Sequence, residues 1–419
     1  MGILSWITKF ISDNSSGIRN EIGSPLSVER LLDIVGVNTA SASGVAVTPE
    51  TAMKQATVYS CVRLLSETIS QLPLHLYKRN KDGRERATEH QLYDLLRISP
   101  NGFMTASEFW QFMAAAVILR GMACSFKNKI GNRLIELIPI SPNSIEEVWT
   151  GNKRMFNVLF ADGKYATVDP SEIFCVKGMS LDGRSAVSPI KYAANSIGLS
   201  ISAQNYNSCF YRNGARPSGV LKTSAALDEK KIDLLRNAWK SQYGGEKSGD
   251  IAVLTAGLDF QAITMSNEDA QLLESLGYQR TEICGIFGVP PHMIGAIEKT
   301  SSWGTGLAEQ SLSFIKYTVS PWLQRIEQSV IRDLLSSQDK KQFYPEFLTE
   351  QFLRGDTKNR YEAYKIALGG TQSPGFMTIN EVRRLENLEP ISDGDTIHKP
   401  VPGAKNTERT PEDEKQTEA

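Results

Sequence analysis

Four histidines, His75, His90, His292 and His398, are the side chains best suited to proton or metal chemistry near neutral pH. They are scattered along the sequence. Metal ligands and triad members need only be close in space, so scatter alone excludes neither. No local spacing supports a site: the chain has no His-Glu-x-x-His and no Gly-x-Ser-x-Gly. His75 alternates with Leu74 and Leu76, which predicts a strand that turns the histidine to solvent. His292 stands in a polar loop after a double proline and is the most open to a role. The carboxylate pairs Asp228-Glu229 and Glu268-Asp269 fall in first helical turns. There the positive end of the helix dipole favours them without acid–base work.

Phosphate chemistry fares no better. Gly-x-x-x-x-Gly-Lys-Ser/Thr is absent. Gly244-Gly-Glu-Lys-Ser-Gly249 lacks that core and reads as an exposed turn. The loop after His292 carries Glu298, Lys299, Thr300, Ser301, Ser302 and Trp303. Trp303, between Ser302 and Gly304, could stack on a base or a neighbouring subunit, or pack into its own fold. Five cysteines, Cys61, Cys124, Cys175, Cys209 and Cys284, are widely spaced with no Cys-x-x-Cys. That pattern predicts buried free thiols in a reducing compartment. The residues point to no catalytic centre, cofactor or metal.

The elements that position these residues come from a chain of 419, long enough for two or three domains. Lys+Arg number 46 and Asp+Glu 47, giving a net charge of -1. A tight nucleic-acid binder shows a basic excess, because its affinity comes largely from neutralised phosphates. This chain either ignores nucleic acid or meets it without gripping. No run of 18 apolar residues predicts a transmembrane helix. Met1 to Asp13 lacks signal-peptide and myristoylation features and reads as an amphipathic helix that docks on a neighbour, without a membrane role.

Residues 14–47 read as an irregular arm. Thr48 and Pro49 start a helix marked by Val58, Val62, Leu65 and Ile69, and Pro73 ends it. Strands 74–78 and 84–88 flank a Lys81-Asp82-Gly83 turn. The box Thr105-Ala-Ser-Glu108 opens a helix to Leu119. Gly131-Asn132, Gly151-Asn152 and Asp162-Gly163 turns then punctuate an antiparallel region with strands at 134–140, 155–160, 165–168 and 173–176. After Ser188-Pro189 a long helix runs to Tyr211, rich in Ala, Ser and Gly. Small side chains allow close helix approach, either within one subunit or between copies around a ring. Strands 219–223 and 251–255 flank a helix marked by Ile232, Leu235 and Trp239. A helix capped by Ser266 carries Leu272, Leu276, Ile283 and Phe287. Helices at 307–335, broken at Pro321, at 357–368 and after Thr378 complete the pattern. From Lys399 the polar tail is predicted to be disordered.

Four segments together resemble the portal protein family of long-tailed double-stranded DNA phages. They are Tyr59-Ser-Cys-Val-Arg63 with Gln71-Leu-Pro-Leu74; Ser188-Pro-Ile190 with Asn213-Gly-Ala-Arg-Pro-Ser-Gly219; Phe287-Gly-Val-Pro-Pro291 with Ser320-Pro-Trp322; and Thr378-Ile-Asn-Glu-Val-Arg383 with Pro390 and Asp393-Gly-Asp395. Each is weak alone, but their order over residues 50–398 is specific. The resemblance implies an α+β subunit with an α/β wing, two long stem helices, a small α/β clip and a helical crown. Copies assemble into a ring, typically of twelve.

Carried onto this chain, the resemblance gives an N-terminal arm at 1–47, a wing at 48–186 and a stem helix at 187–212. It gives a clip at 213–265, a second stem helix at 266–288 and a tunnel loop at 289–306. A long kinked helix returns to the wing over 307–345, the crown covers 346–398 and the tail 399–419. The loop residues His292, Glu298, Lys299, Thr300, Ser301, Ser302 and Trp303 are then expected at the DNA channel. Ala194, Ile197, Ile201, Leu272 and Leu276 are expected to pack the stem between subunits. The implied protein is no enzyme: it is a passive channel at one capsid vertex of the virion, assembled in the host cytoplasm. Its implied partners are double-stranded DNA, capsid protein and scaffold, the terminase large subunit, which is a separate ATPase, and the head–tail connector. Two other classes remain open: a nuclease-like DNA-processing enzyme, and a monomeric binding protein.

Overall fold

A computed structural model describes residues 41–80, 83–131, 133–160, 163–212, 219–223, 228, 230, 232–234, 237, 258–262, 267–295, 305–349, 357–370, 373–386 and 388–398. The chain divides into two compact units, Met1–Phe347 and Leu348–Ala419.

The first unit opens with two helices where the sequence predicts one. Thr48 caps a single turn, α1 (Pro49–Ala52), and Gln55 caps α2 (Ala56–Gln71) anew, its side chain accepting from Val58 N–H. Leu74–Asn80 forms β1 and Gly83–Arg86 forms β2; Lys81 and Asp82 of the expected turn lie outside the described residues. His90 caps a short helix not expected from the sequence, α3 (Gln91–Arg97), through its Nδ1 and Leu92 N–H. The Thr105–Glu108 box then opens α4 (Ala106–Arg120) as expected.

The antiparallel region follows the expected turns. It comprises β3 (Met122–Ile130), β4 (Arg133–Ile140), β5 (Ile145–Thr150), β6 (Lys153–Leu159), β7 (Tyr165–Val168) and β8 (Ile173–Lys177). These form two three-stranded antiparallel sheets, β4-β3-β8 and β5-β6-β7. Their inward residues share one core of Cys124, Ile140, Ile145, Phe156, Val158, Val168, Ile173 and Cys175. Helix α4 buries Phe109, Trp110, Met113 and Ile118, packing against both α2 and β3. Each such side chain contributes about 1.5–3 kcal/mol of burial. Trp110 ties four elements together: its ring meets Phe109 of α4, Phe174 of β8 and Phe347 edge-on, and its Nε1 donates to Leu96 O of α3 at 3.1 Å.

The long helices follow. Pro189–Tyr192 (α5) leads into α6 (Ala194–Arg212). Gly219–Thr223 (β9) pairs antiparallel with β10 (Leu258–Ala262), a strand the sequence does not announce; the expected strand 251–255 lies outside the described residues. Of the expected clip helix, residues 232–234 are helical, and Leu235 and Trp239 lie outside the description. Asn267–Phe287 forms α7.

The expected helix 307–335 is broken differently from a simple proline kink. Thr305–Ser313 (α8) passes into a π-helical turn, Phe314–Val319, and α9 (Ser320–Asp333) then begins with Pro321 in its first turn. Proline has no N–H for the carbonyl four residues back, and its ring crowds that carbonyl. The wider turn just before it absorbs the mismatch. After α9 the chain forms β11 (Phe343–Phe347), which pairs with β1 to give a sheet of order β11-β1-β2. The boundary expected at 345/346 thus falls inside a strand, and the compact unit runs to Phe347.

The strand β1 also corrects the reading of His75. It is central in its sheet, and α3 covers its other side, so His75 is 5% exposed, and its Nδ1 lies 3.0 Å from Tyr93 Oη. Alternation with leucine marks a face, but both faces of this strand are covered. Burial, with Arg86 and Arg97 nearby, lowers its pKa to about 4. The four cysteines with described side chains, Cys61, Cys124, Cys175 and Cys284, are free and buried.

The second unit contains α10 (Thr357–Leu368) and α11 (Ile379–Leu385), the latter opened by a Thr378–Glu381 capping box. Asn380, 1% exposed, donates to Ile391 O and accepts from Ile391 N–H, and its own N–H reaches Gly394 O. A Cβ at Gly394 would lie 2.4 Å from Asn380 Oδ1, so the Asp393-Gly-Asp395 motif needs its glycine for this contact.

Candidate channel segment and stem helices

The stem begins where Ser188 closes the end of α4 and starts α5. Its Oγ donates to Leu119 O at 3.0 Å and accepts from Lys191 N–H at 3.3 Å. Pro189 suits the first helical position, where its missing N–H goes unmissed.

The small residues of α6 serve a crossing within the chain. A Cβ on Gly198 would sit 2.2 Å from Ser41 Oγ and 2.4 Å from Ser41 Cβ. Asn195 Oδ1 accepts from Ala42 N–H, and Ser200 accepts from Gln55 Nε2 at 3.0 Å. Ser196 Oγ donates to Glu282 Oε1 at 3.0 Å and joins α6 to α7. Ile197 is 0% exposed and Ala194 9%, so both are packed within the chain's own core. This helix turns small side chains towards residues 41–43 of its own chain. Ile201 is partly exposed. Leu272 and Leu276 stand in α7, with side chains outside the described residues. The outward residues of the same helices are larger: Leu199 is 50% exposed and Tyr278 72%, and Tyr192 of α5 is 68% exposed.

The candidate channel loop springs from a braced root. Ile283 and Cys284 of α7 are fully buried. Gly288 follows with φ +66°, and its carbonyl accepts from Thr318 Oγ1 at 2.7 Å. A Cβ there would meet Thr318 Oγ1 at 2.9 Å, so glycine is required for both conformation and space. Thr318 belongs to the π turn, so the loop's outgoing and returning limbs are tied at one point. A 3-10 turn, Pro291–Ile294, carries half-buried His292 and ends at Gly295, φ +76°. Glu298, Lys299, Thr300, Ser301, Ser302 and Trp303 lie outside the described residues. The chain re-enters the description at Thr305.

Charge around this root is mixed. Arg280 and Glu282 flank it in α7, Glu309 in α8 and Lys316 in the π turn. Among the described residues no group of three or more His, Cys, Asp or Glu is placed to hold a metal, and no helix is long and apolar enough to cross a membrane. Gln55, Asn195, Glu282 and Thr318 do the bracing, and the sequence singles out none of them. Only Gln55 leaves a trace, as a polar residue immediately ahead of a helix.

The geometry defines an α+β subunit: two antiparallel sheets sharing a core, a long helix pair, and a loop rooted between that pair and a π turn. The phage portal protein family model matches residues 56–387. The portal protein of Enterobacteria phage HK97 is 32% identical over 351 residues, 83% of this chain and 81% of that protein. A probable portal protein of Streptomyces phage phiC31 is 32% identical over 372 residues, 86% and 80% respectively. The chain belongs to the phage portal protein family. Among solved structures, the neck of an empty gene transfer agent particle computed with C6 symmetry matches with TM-score 0.60 at 21% identity, covering 92% of this chain and all of that one. The crystal structure of an HK97-family phage portal protein from Corynebacterium diphtheriae matches with TM-score 0.54 at 18% identity, covering 74% of this chain and 97% of that one. These two likenesses are of fold.

Proposed function

We propose that the chain is a non-enzymatic subunit of a virion portal ring, whose pore passes double-stranded DNA at one capsid vertex during packaging and ejection. The match to the portal family over residues 56–387 carries this reading. A twelve-fold ring is supported by the likeness, TM-score 0.59, to a native gene transfer agent neck computed with C12 symmetry. The boundaries of α6 and α7 support stem helices at 187–212 and 266–288, and the two antiparallel sheets support a wing over 48–186. By the same reading, 213–265 is the clip, 289–306 the tunnel loop and the second compact unit the crown.

DNA carries about one charge per 1.7 Å of axis, and a basic channel would hold it fast. A net charge of -1 and a loop with Lys299 as its single Lys or Arg suit sliding contact. His292, Glu298, Thr300, Ser301, Ser302 and Trp303 complete that proposed lining. Sister copies would meet through the stem helices, at Ile201, Leu272 and Leu276 and at the exposed Tyr192, Leu199 and Tyr278. The terminase large subunit and head–tail connector would dock at the clip, and capsid protein and scaffold at wing and crown.

Negative-stain microscopy with light scattering tests the assembly. Annular particles with a central hole, many times the subunit mass, are expected. A lone globule, or nuclease or ATPase activity in the pure protein, overturns the reading.

A further inference from the structure

Cys124 of β3 and Cys175 of β8 face one another directly across the sheet. The backbone settles which kind of pair they form. In an antiparallel ladder, opposed residues either exchange two hydrogen bonds or exchange none, and the second kind brings side chains closer. Cys175 N–H donates to Asp333 Oδ2 at 3.1 Å, and Cys175 O accepts from Arg332 Nη2 at 2.5 Å. Both backbone groups therefore point away from β3. Three positions on, at the hydrogen-bonded phase of the same ladder, Gly178 N–H donates to Gly121 O. Cys124 and Cys175 are thus a non-hydrogen-bonded pair, for which Cα atoms stand about 4.5 Å apart, inside the range a disulfide spans. Both thiols project into the same core, each 1% exposed. They are in hydrogen-bond contact with each other.

We propose that Cys124 and Cys175 are a latent disulfide, open in a reducing compartment and closed by a small two-electron oxidant such as hydrogen peroxide. The step balances. The Cys175 sulfur attacks peroxide, the O–O bond breaks, and a sulfenic acid and one water result. The Cys124 sulfur then attacks the Cys175 sulfur, the S–S bond forms, and the second oxygen leaves as water. Both thiol protons end in the waters. Cys175 is the better first nucleophile: burial alone would raise its pKa, but the hydrogen bond from Cys124, helped by Arg154 and Lys177, lowers it. Burial pushes the Cys124 thiol up. The Arg332 side chain over the Cys175 backbone is 47% exposed, so an oxidant needs only local opening there.

The consequence reaches beyond the pair. Strand β8 is an edge strand, and Arg332 and Asp333 bind its Cys175 in the manner of a neighbouring strand. Arg325 Nη1 also donates to Gly178 O just past that strand. Closing the disulfide fixes β8 to β3 covalently, and so anchors the end of α9, which leads back to the π turn at the loop root. The proposal stands on the fold and not on the channel reading.

The test uses the full chain. It is treated with hydrogen peroxide, quenched, unfolded in N-ethylmaleimide and digested without reductant. Mass spectrometry should show the Cys124 and Cys175 peptides joined and two hydrogens lighter than their sum, with the Cys209 peptide as internal comparison. Oxidised protein should unfold about 5 °C higher than reduced protein, and dithiothreitol should reverse the gain. Cys175→Ser should lose both effects; since it alters a core position, Cys124→Ser and the wild-type reversal provide independent readings. Both thiols still alkylated after treatment, or sulfinic acid accumulating on Cys175 without the joined peptide, overturns the proposal.

Discussion

Around α4, β6 and β8 the large side chains turn inward: Phe109, Trp110, Phe156 and Phe174 are all buried. Along the stem the arrangement inverts. There the small residues Ala194, Gly198 and Ser200 point into the chain, and Leu199 and Tyr278 point out. A set of sheets with its own closed core needs no partner to be stable. A helix pair that spends its small residues on internal crossings and leaves aromatics outside is stable enough to present a surface. The close-approach residues therefore report how α6 is seated in its own chain, and the bulky ones are left exposed on it.

The largest expected effect lies on the closed side of this comparison. Trp110→Ala removes a ring that joins α4, β8 and β11, and leaves Leu96 O without its donor. A loss of about 3–5 kcal/mol is expected, read by chemical denaturation. A loss under about 1 kcal/mol would mean that the core is not continuous through Trp110.

His75 sharpens the same side. Its folded pKa is lowered to about 4 from 6.5, so the unfolded chain takes up the proton first as pH falls. Its contribution is fully present above pH 6.5 and is lost as pH falls from 6.5 towards 4, by about 2–3 kcal/mol at the end. Denaturation midpoints from pH 7 to 5 should fall less steeply in His75→Gln than in the native protein. An unchanged slope would place the histidine in water, as its alternation with leucine suggests.

How much of this was legible in the sequence divides along physical lines. Turns and caps are local, so Gly131 and Gly151 announced two hairpins, and Thr105 and Thr378 announced the starts of α4 and α11; β4 and the bounds of α4 fell within a residue or so of their expected ranges. Family motifs were legible as order and spacing. What the sequence did not reveal is pairing across distance. β11 joins β1 across more than two hundred residues, and nothing local to 343–347 says so. The burial of His75 depends on α3 arriving over the strand. The seating of Gly198 depends on Ser41, and composition alone gave no choice between that contact and a sister helix.

Gly198→Ala tests the seating directly. In an open helix the change would stabilise by up to about 1 kcal/mol. Here the new Cβ overlaps Ser41, and a net loss of about 1–2 kcal/mol is expected. Adding Ser41→Gly should restore most of it, because both overlapping atoms go. A stable single variant that fails only to assemble would return this helix face to the space between subunits.

The smallest effect on folding is expected where the comparison matters most for function. Tyr278 is 72% exposed, on α7, and Leu199 is 50% exposed, on α6. Tyr278→Ser and Leu199→Ser should each leave unfolding of the dissociated subunit within about 0.5 kcal/mol of the native protein, because neither side chain fills its core. Assembly should respond quite differently. Apolar side chains at the centre of an interface commonly cost more than about 1 kcal/mol when truncated, and every junction in a closed ring carries the same change. Light scattering over a dilution series should therefore show the variant rings dissociating at several-fold higher protein concentration. If the variants lost folding stability instead and assembled normally, these side chains would belong to the subunit's interior contacts, and the inversion between sheets and stem would not hold.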